Sequence, residues 1–115
     1  VSSTRRDRTR PGKVLVVDDE PAEQEALAHL VGQWGYEVET ASSGEEALSL
    51  VESRRPAVVV TDLVLPEMDG LTLLQKLQET GRPPIVLLVT GHGTVESAVE
   101  AMRHGAFDYL TKPVD

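Results

Sequence analysis

Runs of β-branched and aliphatic residues at 14–17, 57–61 and 85–89 punctuate this chain, together with a polar-alternating run at 36–40 and a last short one at 107–111. Between them the apolar residues fall at helical spacing. Ala26, Leu27, Leu30, Val31 and Trp34 form one apolar face, with Pro21 at a first helical position and Gly35 at its close. Ser43-Gly44-Glu45-Glu46 reads as a capping box ahead of Ala47, Leu48 and Val51. Leu71, Leu74 and Leu77 make a third stripe that stops at Gly81. Val95, Ala98, Val99 and Met102 make a fourth, expected to pack into the core and to leave the polar side of its helix free for a partner. Strand and helix thus alternate as β-α-β-α-β-α-β-α-β. That order predicts an α/β fold: a parallel sheet with right-handed crossovers and helices on both faces. The central runs are apolar almost throughout, as doubly covered strands are, whereas 36–40 alternates and belongs at an edge.

At 115 residues, 40% hydrophobic and 26% charged, the chain has the size and composition of one domain with a modest core. No apolar run approaches the roughly 20 residues of a membrane helix, and none resembles a secretion signal. The absence of cysteine excludes disulfides and thiolate metal sites, so a cytoplasmic location is expected. Charge is unevenly spread. Arg5, Arg6, Arg8, Arg10 and Lys13 are five of the eleven cations, and residues 1–12 read as a disordered basic leader, with a nucleic-acid arm as the alternative. From Val14 onward six cations face eighteen acids, which argues against direct nucleic-acid binding and favours a metal cation or a basic partner.

In parallel sheets of this kind ligands gather at the carboxyl ends of the strands. Asp18 and Asp19 end the first run, Asp62 the third, Thr90 the fourth and Lys112 the fifth, so all five polar residues share one rim. Carboxylates crowded there repel, by roughly 4 kcal/mol for two charges about 4 Å apart at an effective dielectric near 20. A proton or a cation must relieve them. Oxygen donors without His or Cys suit a hard ion, with Mg²⁺ the abundant candidate. A metal, the Lys112 ammonium and the Thr90 hydroxyl around one carboxylate make a place that can receive a phosphoryl group.

The segments VVDDEP (16–21), TDLVLPEMDG (61–70), Thr90-Gly91 and FDYLTKP (107–113) resemble, in this order, the receiver domain of two-component response regulators. The resemblance runs over residues 13–115. It implies a flavodoxin-like, doubly wound five-stranded sheet in strand order 2-1-3-4-5. It further implies Asp62 as phosphoacceptor and Mg²⁺ held by Asp19, Asp62, the Val64 carbonyl and, through water, Asp18. Lys112 would pair with the phosphoryl group, its bond to Pro113 being often cis in relatives. Thr90 would bond a phosphoryl oxygen, Gly91 would leave the site open, and Tyr109 would turn inward as Thr90 moves. A sensor histidine kinase is the implied donor. Residues 91–113 are similar to receivers of nitrogen-regulation-type activators of the alternative sigma factor. That likeness implies an ATPase and DNA-binding output further along a full-length protein, and dimerisation through the fourth-helix and fifth-strand face. The family carries Phe where Val114 stands, and a fifth helix that is expected to be missing here, with apolar surface exposed in its place.

Plainer readings stand beside these. Asp19 ahead of Glu20-Pro21 could cap the first helix, Asp62 could be a turn residue, and Thr90 could cap the fourth helix. Tyr109 could be an edge-strand aromatic, and His92 and His104 surface histidines rather than ligands. An aspartate-nucleophile phosphatase is the enzyme alternative, but Val64 stands where its second acid would be. A binding module that works without phosphorylation is the other.

Overall fold

A computed structural model of the chain describes residues 12–113. The basic leader up to Pro11, and Val114 with Asp115, lie outside the described residues. The strands are β1 (Lys13–Val17), β2 (Glu37–Ala41), β3 (Val58–Thr61), β4 (Ile85–Thr90) and β5 (Asp108–Thr111). The helices are α1 (Pro21–Gln33), α2 (Gly44–Arg54), α3 (Gly70–Gln78) and α4 (Val95–Arg103). All strand pairs are parallel, in the order β2-β1-β3-β4-β5. The alternating run is an edge strand, and the apolar runs are central.

Alternation of side chains along the strands divides the core in two. Leu15, Val17, Val59, Val86 and Leu88 face Ala47 of α2, the Leu73, Leu74 and Leu77 row of α3, and Ala101 of α4. Val14, Val16, Val60 and Val89 face α1, which contributes Val31 and the partly buried Leu27. Among the described residues three helices therefore cover one face and a single helix the other. On that second face Ile85 is 49% and Leu110 38% exposed among the described residues.

Local chemistry explains the helix starts. The Asp69 side chain accepts from Thr72 N at 2.9 Å and opens α3. Ser43 accepts from Glu46 N at 3.1 Å, but the return bond of Glu46 goes to Ser42 N rather than to the cap residue itself, so only half of the expected capping box forms. The complete box belongs to α4, where the Thr94 and Ser97 side chains each bond the other's backbone N–H.

Two apolar assignments need correction. Ala26 and Trp34 face water rather than the core, Trp34 being 61% exposed just beyond the end of α1. The α4 stripe does not pack inward: Val95 is 79% exposed, Val99 46% and Met102 48%. Of that stripe only Ala98 is half-buried, and the sheet takes it together with the fully buried Ala101. Small side chains let this short helix approach the sheet closely, and the bulkier row is left on the outside.

Substitution separates the two kinds of position. Leu77→Ala, in the fully buried α3 row, is expected to cost about 2–5 kcal/mol through lost burial and a cavity. Val95→Ser is expected to stay within about 0.5 kcal/mol of the native chain. Urea unfolding of both variants measures the contrast.

Candidate functional site

The β1–β3 register pairs Val17 with Thr61, so the next residues, Asp18 and Asp62, leave adjacent strands together, about 4.8 Å apart. Backbone bonds continue past the strand ends and hold both, from Asp18 N to Ala41 O and from Asp62 N to Val17 O, each 3.0 Å. Asp18 is fully buried and Asp62 only 6% exposed. Two buried carboxylates at this spacing need a counter-charge, and β5 delivers one from the far side. Lys112 Nζ donates to Asp18 Oδ2 at 2.8 Å and to Asp62 Oδ2 at 2.9 Å. It also donates to Glu23 Oε1, from the first turn of α1. Burial alone would lower the lysine's pKa, but the bonds to Asp18, Glu23 and Asp62 outweigh it and raise the pKa above its ordinary value.

The remaining carboxylate oxygens are bound locally. Asp18 Oδ1 accepts from Glu20 N at 3.0 Å, and Asp62 Oδ1 from Val64 N at 3.1 Å. The amide nitrogen of Gln24 lies 2.9 Å from the Asp18 carbonyl and 3.0 Å from that of Ala41, tying the β1–α1 and β2–α2 loops together. Gly70 closes the opposite wall. Its N–H donates to Leu63 O at 2.7 Å, and a β-carbon there would strike the Asp62 carbonyl and lie 2.9 Å from Leu63 Cα. The absence of a side chain at Gly70 lets α3 start hard against the loop that carries Asp62.

Asp18, Asp62 and Lys112 thus meet at one point. Asp19 is exposed, and among the described residues the carboxylates in mutual reach are Asp18, Glu23 and Asp62. Glu20, not Asp19, is the N-cap of α1, and its side chain makes no capping bond. Val64 is 51% exposed beside Asp62. Thr90 is fully buried at the end of β4; its hydroxyl accepts from His92 N at 3.1 Å and caps no helix, since Thr94 opens α4. A β-carbon at Gly91 would lie an ordinary 4.0 Å from Lys112 Cβ. The Lys112–Pro113 bond is cis. Tyr109 packs against Gly93, and its hydroxyl lies 2.7 Å from Ser97 Oγ, so β5 is bonded to the first turn of α4. His104 lies beside Gln75 and Glu100, and no histidine joins the acidic cluster among the described residues. A groove of about 850 Å³, lined by Val51, Arg55, Leu77 and Arg82 among others, opens at the amino ends of the strands, far from this chemistry.

Sequence reasoning missed Glu23, Gln24 and Gly70. Glu23 and Gln24 lie one helical turn past the acidic doublet, but acids are common in any first helical turn and carry no separate signal. Gly70 reads as an ordinary turn glycine until the position of the Asp62 carbonyl is known.

Three carboxylates against one ammonium leave a net negative, oxygen-lined pocket, a donor set that fits a hard divalent cation. No helix among the described residues is long and apolar enough to cross a membrane.

Comparison with known proteins agrees with this geometry. A family model described as the response regulator receiver domain matches residues 14–115. The Positive alginate biosynthesis regulatory protein of Pseudomonas aeruginosa is 48% identical over 104 residues, 88% of this chain and 41% of that protein. The Transcriptional regulatory protein GlrR of Escherichia coli is 38% identical over 106 residues, 92% of this chain and 24% of that protein. The receiver domain of NtrX from Brucella abortus superposes with a TM-score of 0.83 at 36% identity, covering 89% of this chain and 87% of that one. The chain spans less than half the length of the curated relatives it matches.

Replacing Lys112 with Met, which keeps the stem and removes the charge, leaves Asp18 and Asp62 buried without their cation. Stability at neutral pH is expected to fall by about 2–4 kcal/mol. A raised lysine pKa stabilises fully below the ordinary value of 10.5, and the contribution disappears only as pH rises through the higher folded-state value. The gap between variant and native chain should therefore be flat through neutral pH and shrink only in strong alkali, as urea titrations at several pH values would record. Gly70→Ala, which in an ordinary helix interior would stabilise by up to about 1 kcal/mol, is expected to destabilise by about 1–3 kcal/mol through overpacking.

Proposed function

The chain belongs to the response regulator receiver domain family, a signalling module of two-component systems rather than an enzyme of turnover, and from that premise we propose that it is a switch thrown by phosphorylation of Asp62. The carrying observation is the shared ammonium: Lys112 reaches the buried Asp18 and Asp62 together at hydrogen-bond distance. A sensor histidine kinase supplies the phosphoryl group. A carboxylate oxygen of Asp62 forms the new bond to phosphorus while the phosphorus–nitrogen bond of the phosphohistidine breaks, and the imidazole leaves with the electron pair. Lys112 pairs with the transferred group. Thr90 uses its hydroxyl proton to bond a phosphoryl oxygen while its lone pair still accepts from His92 N.

Mg²⁺ is the proposed cofactor, held by Asp18, Asp19, Asp62 and the Val64 carbonyl. When bound it neutralises the acidic cluster and the charge on the phosphoryl oxygens. Gly91 keeps the approach open, and Pro113 follows Lys112 at the turn out of β5. The readout is the surface of α4 and β5. Tyr109 and Ser97 bond those elements to each other, so movement at Thr90 is passed to the helix whose Val95, Val99 and Met102 face outward. We place a homodimer contact on that face, the domain in the cytoplasm, and the output in transcription. Relatives whose names describe transcriptional regulators support that output, and a downstream ATPase and DNA-binding module is the proposed form. Val64, two residues past Asp62, offers no second acid, which counts against phosphatase turnover.

Incubation with Mg²⁺ and acetyl phosphate is expected to add the mass of one phosphoryl group. Asp62→Asn or a chelator should abolish the gain. A gain that survives Asp62→Asn overturns the assignment of the acceptor.

A further inference from the structure

We propose that Glu23 is a positioning residue that occupies the third donor of the Lys112 ammonium and competes with the incoming phosphoryl group for it, so that phosphorylation requires Glu23 to let go. This deepens the phosphorylation reading and rests on it. An ammonium has three N–H donors and no more. Asp18 Oδ2, Asp62 Oδ2 and Glu23 Oε1 take all of them. Until the bond from Asp62 to phosphorus has formed, a phosphoryl oxygen can pair with Lys112 only if one carboxylate withdraws.

The three differ in how readily they can do so. Asp18 and Asp62 are buried, sit at strand ends, and have their second oxygens bound to backbone N–H groups. Releasing Asp18 would move a fully buried carboxylate away from the ammonium, and Asp62 must stay in place as the attacking group. The Glu23 side chain is half exposed on the first turn of α1 and can swing into water, where its charge is fully solvated. Glu23 is therefore the group that yields. Until it does, its carboxylate lies within 4.8 Å of oxygens of both aspartates and adds like charge where an anion must arrive. Neither the acidic doublet nor the strand-end pattern points to this residue. Only the reach of Lys112 across the carboxyl edge to the first turn of α1 brings the two together.

A plain structural role for Glu23 also exists, since an acid in a first helical turn is favourable to the helix dipole. It predicts a change in stability and none in phosphoryl affinity. The test compares the native chain with Glu23→Ala and with Glu25→Ala, an exposed acid on the same helix whose loss changes net charge and helix propensity equally. At saturating Mg²⁺, intact-mass time courses with acetyl phosphate follow transfer. The bond from Asp62 to phosphorus forms as the phosphorus–oxygen bond to the acetyl group breaks and acetate leaves. Calorimetric titration with beryllofluoride, a phosphoryl mimic, reads affinity without chemistry.

Glu23→Ala is expected to speed transfer and to tighten beryllofluoride binding by about three- to tenfold, the scale of one half-exposed charge-assisted bond. Glu25→Ala should change neither. Equal behaviour of the native chain and Glu23→Ala, slower transfer in Glu23→Ala, or an equal gain in both variants would overturn the role of Glu23 and leave the Asp62 switch standing. No phosphoryl gain in any of the three proteins would instead remove the switch, and the competitor with it.

Discussion

Two carboxylates are buried side by side at the ends of β1 and β3, and one ammonium from the end of β5 holds them there. Like charges at that spacing are tolerable inside a protein only with a compensating cation. Much of the molecule's carboxyl-edge architecture follows from supplying that cation from the correct direction. The lysine must come from a strand separated from both aspartates by β4, and its stem must cross the end of that strand. The bond from Lys112 N to Thr90 O, 3.0 Å long, sets where that crossing begins.

The sheet does this without dedicated machinery. Parallel strands end on the same edge, so residues just past each strand converge there as a consequence of the crossover order. The loops are then pinned one by one: Gln24 spans two of them, Val64 N–H closes on Asp62, and Gly70 lets α3 press against the acceptor loop. The pocket remains net negative after Lys112 is counted. A divalent cation brings the charge that such a pocket lacks.

Away from this edge the fold leaves two apolar surfaces in water. One is the open side of the β4–β5 face, where Ile85 and Leu110 lie uncovered among the described residues. The other is the outer row of α4, joined to β5 through the Tyr109–Ser97 contact. The second lies where a change at Thr90 would be felt first.

The alternation of strands and helices and the identity of most rim residues were legible in the sequence because they depend on local signals, whereas the strand order followed only from the likeness to receiver domains. Strand runs have period two or are wholly apolar, helices have period 3.6, and the end of each strand run names the residue that emerges there. The same signals put 36–40 at an edge and Asp18, Asp62, Thr90 and Lys112 on one rim. Periodicity could not say which of two overlapping rows on α4 faces the sheet: of the stripe expected inward, Val95, Val99 and Met102 lie outward, and only small Ala98, with Ala101, turns to the sheet. Nor could it separate Asp18 from its neighbour. Successive residues point in different directions as the chain leaves a strand, and only the packed loop shows that Asp18 turns in to the lysine while Asp19 is exposed. Glu23 and Gly70 were invisible for the same reason: their importance lies in what another segment brings against them, and that distance exists only once the chain has folded.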